Sequence, residues 1–144
     1  MNELLMPQHP GLIIGGDLPI VVSEVLNGCL YSGFFGTLDP QRVRTATETI
    51  LHHAEIRDIG YMIIDLSNVE IIDSEVAVHL INIAESLRLL GIEVVFCGMK
   101  PFIAQSITKA GISVSVSTFS KNLKTALKDV LKKMKLKIVS IEDK

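Results

Sequence analysis

Apolar and polar residues alternate along this chain in blocks that have the lengths of strands and helices. Two apolar runs between Pro19 and Gly36 flank Asn27-Gly28, whose tolerance of positive φ predicts a β-hairpin. Continuous apolar runs at 61–65 and 93–97 predict strands that are covered on both faces, and 114–116 predicts a short, weaker strand.

Helical periodicity fills the intervals between these strands. Four helices are predicted: from Asp39-Pro40 to before Asp58, from Ser74 to Leu90 before Gly91, from Pro101 to Ala110, and from Ser120 to about Met134. In the first helix a buried stripe is expected at Val43, Ala46, Ile50 and Ala54. Strands that alternate with helices imply right-handed crossovers, so we expect an α/β fold with a mixed, mostly parallel sheet and about four helices packed against it.

The pattern weakens at both ends of the chain. Residues 1–18 are punctuated by prolines and glycines, which predicts an N-terminal arm in which 12–14 can form a short edge contact. We expect one domain at 19–132 and a C-terminal tail at 133–144. The weak alternation at 135–141 leaves three possibilities open: an extra strand, pairing with another chain, or disorder.

Composition narrows the class of protein. The chain has 144 residues, 48% of them hydrophobic, and a net charge of -2, which does not indicate a nucleic-acid partner. No apolar run approaches the ~20 residues that span a bilayer, and the N-terminus lacks a secretory pattern, so we expect no membrane contact and a cytoplasmic location. Cys29 and Cys97 lie in apolar runs and are expected to be buried free thiols.

Asp73-Ser74 is the most informative pair, because it lies where an apolar segment meets the longest helix. The Ser74 hydroxyl can cap this helix or accept a phosphoryl group, which the helix N-terminus would favour and the Asp73 and Glu75 carboxylates would oppose. The pattern alone favours the cap. Asp65 and Ser67, which follow the central strand, are expected to shape a loop through side-chain hydrogen bonds.

The second helix also predicts a contact surface. Its core face is expected at Val76, Leu80, Ile83, Ala84 and Leu87. Val78, Ile81 and Leu89 fall on the outer side with Ser74, which predicts an apolar surface that meets a partner or a second subunit. Sequence motifs for nucleotide-binding loops, serine hydrolases and zinc sites are absent, so no enzyme activity, metal or cofactor is expected.

Four segments resemble the STAS domain of anti-sigma factor antagonists, and within that family the stressosome scaffold proteins: Gly36-Thr37-Leu38-Asp39, Asp65-Leu66-Ser67-Asn68-Val69, Ile72-Asp73-Ser74 and Gly98-Met99-Lys100-Pro101. The resemblance implies a non-enzymatic module that binds or sequesters a serine/threonine switch kinase and assembles with other STAS subunits. It implies phosphorylation of Ser74 and, as a second site, of Thr37. From the residues themselves, we expect the phosphosite surroundings and partner recognition at Asp73, Glu75, Asp65, Ser67, Val78 and Leu89, with a structural role favoured for Asp65 and Ser67.

Two alternatives stay open. One is a free-standing anti-anti-sigma factor that binds an anti-sigma factor directly and is inactivated by phosphate. The other is a module that binds a small ligand or a nucleotide with the loop after Asp65.

Overall fold

The computed structural model describes residues 12–14, 20–111 and 118–142, and they form one sheet with helices on both faces. The strands of the described residues are β1 (Leu12–Ile14), β2 (Ile20–Leu26), β3 (Cys29–Thr37), β4 (Tyr61–Ile71), β5 (Glu93–Cys97) and β6 (Thr118–Ser120). The helices are α1 (Pro40–Ile56), α2 (Ser74–Leu89), α3 (Pro101–Lys109) and α4 (Leu123–Lys133).

The sheet is mixed, with the six described strands in the order β1-β2-β3-β4-β5-β6. The β1–β2 and β2–β3 pairs are antiparallel, whereas β3–β4, β4–β5 and β5–β6 are parallel. Gly28 has a φ of +85° in the predicted hairpin turn, which a residue with a side chain rarely adopts. The predicted hairpin, the mixed sheet, the four helices and the edge contact of 12–14 are therefore confirmed.

Two apolar layers hold the helices against the sheet. The larger core joins β2–β5 with the buried sides of α1, α2 and α3, and it includes the predicted stripe from Val43 to Ala54. A smaller core on the other face packs Ala126 and Val130 of α4 against Ile63 and Val95. Cys29 and Cys97 lie in this smaller core as buried free thiols, as predicted.

The outer apolar face predicted for α2 is partly wrong. Ile81 is only 1% exposed and belongs to the larger core. Because α2 packs against both α1 and α3 as well as the sheet, its buried side is wider than one helical stripe. Leu89, in contrast, is 89% exposed at the C-terminal end of the helix, and Val78 is half-buried.

Three boundaries differ from the predictions. β4 does not end at Asp65 but continues to Ile71. Its pairing with β3 shifts register twice after Asp65, so the strand continues through the polar residues that were expected to form a loop. The last helix begins at Leu123 rather than Ser120, because the side chain of Asn122 accepts a hydrogen bond from the Thr125 amide and caps it. The strand predicted at 114–116 lies outside the described residues, and 136–142 has no regular secondary structure.

Candidate functional site

The two predicted phosphate acceptors lie at one edge of the sheet. β3, β4 and β5 are parallel, so their carboxyl ends share this edge, and α1, α2 and α3 begin there. Thr37 ends β3 and pairs in register with Ile71, the last residue of β4. Ser74 follows only three residues after Ile71, so the fold brings Thr37 and Ser74 to neighbouring positions on the carboxyl edge.

The helix cap is supplied by Asp73 and not by Ser74. Asp73 has an extended backbone (φ −103°, ψ 178°), and its Oδ1 accepts a hydrogen bond of 2.9 Å from the Val76 amide. The Ala77 amide donates to the Asp73 carbonyl at 3.0 Å and closes the first helical turn. The expectation of a capping serine is therefore wrong, because the preceding carboxylate already holds the free amide that a serine cap would use.

Ser74 is consequently the first residue of α2, and its side chain is exposed. Within the described residues its hydroxyl makes no hydrogen bond to the protein. An alcohol with this exposure and no internal partner is accessible to the active site of another protein. Its position in the first helical turn also places it close to backbone amides that favour an anion.

Charged side chains lie in the first turns of α2 and against the neighbouring strand β4. The Glu75 carboxylate is exposed and lies 3.9 Å from Nε2 of His79, a distance at which an ion pair forms only when the imidazole is protonated. Lys100, at the start of α3, donates from Nζ to the Val69 carbonyl at 3.2 Å, so its ammonium group lies against the carboxyl-terminal part of β4. The helix dipole would attract a phosphoryl group on Ser74, whereas the carboxylates of Asp73 and Glu75 would repel it.

Thr37 is exposed at the end of β3, immediately before the turn into α1. Gly36 before it has a φ of +79°, and Leu38 after it is buried with 3% of its surface exposed. Asp39 caps α1 by accepting a 2.9 Å hydrogen bond from the Arg42 amide. Thr37 is thus held between a fixed turn and a buried anchor, with its own side chain directed to solvent.

Asp65 is a structural residue in this fold. Only 5% of its surface is exposed, and both of its carboxylate oxygens accept hydrogen bonds from within the domain. Its Oδ2 accepts a 2.8 Å hydrogen bond from the Tyr31 hydroxyl, and its Oδ1 accepts from the Ser67 amide at 2.9 Å and from the Ser67 hydroxyl at 2.5 Å. These bonds confirm that Asp65 and Ser67 organise the local backbone, although they do so inside β4 and not in a loop.

Two participants in this cluster were missed from the sequence. Burial raises the pKa of Tyr31, and its hydrogen bond to Asp65 adds to the increase. Burial also raises the pKa of Cys97 to about 12, and the negative charge of Asp65 acts in the same direction. Tyr31 precedes Asp65 by 34 residues, so only the register that pairs β3 with β4 could have indicated the contact.

The predicted recognition residues do not form one compact surface. Val78 follows Ser74 by one helical turn and lies on the same side of α2. Leu89 lies at the far end of this 16-residue helix, about 22 Å from Ser74 at ~1.5 Å per residue. The structure therefore brings Ser74, Asp73, Glu75 and Val78 together and places Leu89 elsewhere.

The described part of the chain contains neither a membrane-spanning helix nor a cluster of metal-ligating side chains. No helix in residues 12–14, 20–111 or 118–142 is long and apolar enough to cross a membrane. The same ranges contain no group of three or more histidine, cysteine, aspartate or glutamate side chains placed to hold a metal ion.

Comparison with known proteins identifies similar chains. The chain is 32% identical over 127 residues to the RsbT co-antagonist protein RsbRD of Bacillus subtilis (strain 168), an alignment that covers 88% of this chain and 41% of that protein. The chain thus spans about two fifths of the length of this curated relative. A solved structure of RsbS from Moorella thermoacetica, a serine-to-glutamate variant, superposes with a TM-score of 0.67 at 29% identity and covers 83% of this chain and 97% of that one.

A solved structure of the stressosome, described as a signal integration and transduction hub, contains a chain that is 26% identical to this one. It superposes with a TM-score of 0.63 and covers 79% of this chain and 97% of that chain. The family model described as the STAS domain matches residues 21–140, which include every described element from β3 to α4. On this match and the likeness of sequence and fold, the chain belongs to the STAS domain family.

Proposed function

We propose that this chain is a phosphorylation-controlled protein-binding module of a stressosome, and that it holds or releases a serine/threonine switch kinase. A relative that shares 32% identity is named a co-antagonist of RsbT, and a chain of a solved stressosome shares this fold at 26% identity. The kinase that we assign to this chain is therefore of the RsbT kind. Other STAS subunits would complete the assembly.

The observation that carries this proposal is the state of the Ser74 hydroxyl. It is exposed at the start of α2, and it has no hydrogen-bond partner in the described part of the chain, because Asp73 caps the helix. A kinase can reach this oxygen without unfolding the domain. Asp73, Glu75 and Val78 surround it and would form the surface that the kinase recognises.

Phosphorylation would change the charge of this surface and leave the fold intact. A phosphoryl group adds about −1.5 to −2 charge at neutral pH, next to the carboxylates of Asp73 and Glu75. A partner that docks on the unmodified surface would then meet a cluster of negative charge and lose affinity. Release of a bound kinase is the expected consequence.

Thr37 is proposed as a second acceptor. Its side chain is exposed on the same carboxyl edge, and its strand neighbour Ile71 precedes Ser74 by three residues. A single docked kinase would therefore find both hydroxyl groups on one side of the domain. The domain itself would contribute no catalysis, and its two buried free thiols fit the reducing cytoplasm.

Site mapping tests the proposal. The wild-type chain and the Ser74→Ala, Thr37→Ala and Ser86→Ala variants are incubated with an RsbT-type kinase and ATP, and the products are analysed by intact mass and peptide mapping. We expect phosphorylation of the wild type and of the Ser86→Ala control, and loss of the main phosphoryl group in Ser74→Ala. Equal modification of Ser74→Ala and wild type, or no modification of either, would overturn the assignment.

Particle size separates the scaffold from the free antagonist. With a second STAS subunit present, a scaffold forms a large assembly by light scattering, whereas a free-standing anti-anti-sigma factor stays a monomer or dimer. Retention of the kinase by this assembly, and its loss after phosphorylation, would support the scaffold role.

A further inference from the structure

A groove lies between α4 and the segment that follows it, on the face of the sheet opposite to α1, α2 and α3. It encloses about 260 Å³. We call this feature the basic groove. Three lysines and three aliphatic residues line it: Lys128, Leu131, Lys132, Leu136, Lys137 and Ile138.

The end of α4 fixes the shape of this groove. Lys135 has a φ of +63°, which turns the chain back on itself after the helix. The Leu136 amide then donates to the Leu131 carbonyl at 2.8 Å, and the Lys135 amide donates to the Lys132 carbonyl at 2.9 Å. This is the hydrogen-bond pattern of a Schellman helix end, and it holds Leu136 beside Leu131 at the apolar base of the groove.

The lysines of the groove have no ion-pair partner in the described part of the chain. Lys128, Lys132 and Lys137 are exposed, and none makes an ion pair within the described residues. Lys133, on the same helix but outside the groove, pairs with Glu93 at 2.7 Å. Residues 118–142 contain seven lysines and two carboxylates, a net charge of +5 in a chain whose total is -2. The occupant that best fits this groove is therefore acidic, and it carries an apolar group that contacts Leu131 and Leu136 at the base of the groove.

The first turn of α2 has that chemistry. Asp73, Ser74 and Glu75 are exposed, and Val78 adds a half-buried apolar side chain one turn later. We call this set the acidic facet. It carries two carboxylates before modification and would carry a third anionic group on phosphorylation of Ser74.

The two surfaces cannot meet within one molecule. The acidic facet lies at the carboxyl edge of the sheet, on the face that α1, α2 and α3 cover. The basic groove lies at the end of α4, which the ion pair between Lys133 and Glu93 places at the amino end of β5, on the other face. Pairing of these surfaces therefore requires two copies of the chain.

We propose that the acidic facet of one copy docks in the basic groove of a second copy. Val78 would contact Leu131 and Leu136, while Asp73 and Glu75 would lie against Lys128 and Lys132. The contact is head-to-tail, so one copy of a pair retains an unused groove and the other an unused facet, and association proceeds beyond a dimer or closes into a ring. The facet is also the surface proposed above for the kinase, so kinase binding and self-association compete for it. Phosphorylation of Ser74, which rests on that proposed function, would shift this competition towards self-association.

Charge reversal tests the contact without a kinase. Sedimentation velocity of the full chain over a range of concentrations gives the association constant of the wild type, of Lys128→Glu/Lys132→Glu, of Glu75→Lys and of Ser74→Glu. We expect the double lysine variant to weaken association about tenfold or more, equivalent to ~1.4 kcal/mol or more, and Ser74→Glu to strengthen it. High salt should weaken association of the wild type, because the contact is between exposed charges.

The matched control is Lys121→Glu/Lys124→Glu, which changes the net charge by the same amount at exposed lysines that do not line the groove. It should associate like the wild type. A mixture of Lys128→Glu/Lys132→Glu with Glu75→Lys should regain association that each variant lacks alone, since the unchanged facet of the lysine variant can dock in the unchanged groove of Glu75→Lys. Three results would each refute the proposal. The wild type and Ser74→Glu could both be monomeric, the two lysine pairs could have equal effects, or the mixture could show no recovery. Failure of the kinase to modify Ser74 would instead refute the proposed function.

Discussion

Replacing Gly98 with alanine should destabilise the domain by more than its backbone conformation alone explains. Gly98 follows β5 and has a φ of +69°, where a side chain is strained by about 1–2 kcal/mol. A Cβ at this position would also overlap the Ser67 hydroxyl oxygen and would lie 2.8 Å from the Ser67 amide nitrogen and 2.9 Å from Asp65 Oδ1. The second effect is overpacking against a buried hydrogen-bonded cluster, which typically costs a further ~1–3 kcal/mol.

Gly91 provides the matched control for this substitution. Its φ is +84°, yet no atom of the described residues lies within 4 Å of the position that a Cβ would occupy. Gly91→Ala should therefore lose only the backbone contribution, about 1–2 kcal/mol. Gly98→Ala should lose roughly 2–5 kcal/mol in total. Its melting temperature should therefore fall about twice as far as that of Gly91→Ala, or further.

Urea unfolding followed by circular dichroism measures both losses. The Ser67→Ala/Gly98→Ala double variant should be more stable than the sum of its single effects predicts, because alanine at 67 removes the nearest overlapping atom. Equal losses for Gly98→Ala and Gly91→Ala, or strictly additive effects in the double variant, would refute the idea that the Asp65 cluster excludes a side chain at 98.

Three further predictions concern titration and the helix cap. Cys29 and Cys97 should resist modification by a thiol reagent at pH 8 in the native state and react on unfolding, because burial raises the pKa of each to about 12. Burial lowers the pKa of His53 below its usual value, and neighbouring positive charge adds to the decrease. The stability that the neutral imidazole contributes is therefore fully present above pH ~6.5 and is lost as the pH falls towards the folded-state pKa. His53→Gln should reduce the difference between the urea midpoints measured at pH ~7.5 and pH ~5.5. Asp73→Ala should lose ~1 kcal/mol in thermal unfolding through loss of the cap, whereas Ser74→Glu should change stability by less than ~0.5 kcal/mol.

The elements that could be predicted are those whose signals are local. Asn27-Gly28 specifies its hairpin turn through backbone angles that few other dipeptides adopt, and Asp39-Pro40 specifies the start of α1 through a cap and a fixed φ. The stripe of α1 was also predicted in full, because this helix presents a narrow buried side. No distant residue is needed to explain these features.

The features that could not be predicted depend on residues far apart in the chain. β4 passes through Asp65 because a tyrosine on the neighbouring strand, and not a turn, satisfies the carboxylate. Ile81 is buried because α2 lies between two other helices, and a helical projection assumes a single packed side. The exposure of Ser74 was decided by its neighbour, since one of two adjacent cap-forming residues had to take the amide of Val76.

That choice between Asp73 and Ser74 separates stability from signalling. Had the serine hydroxyl accepted the hydrogen bond that caps α2, a phosphoryl transfer to it would have removed or replaced a contact worth ~1 kcal/mol, and each modification would have altered the helix as well as the surface. With the cap supplied by the Asp73 carboxylate, the Ser74 oxygen contributes nothing to the helix start within the described residues. A change at this oxygen then acts only through charge on an exposed surface, so a partner can read it while the core beneath, from Val76 to Leu87, stays packed as before.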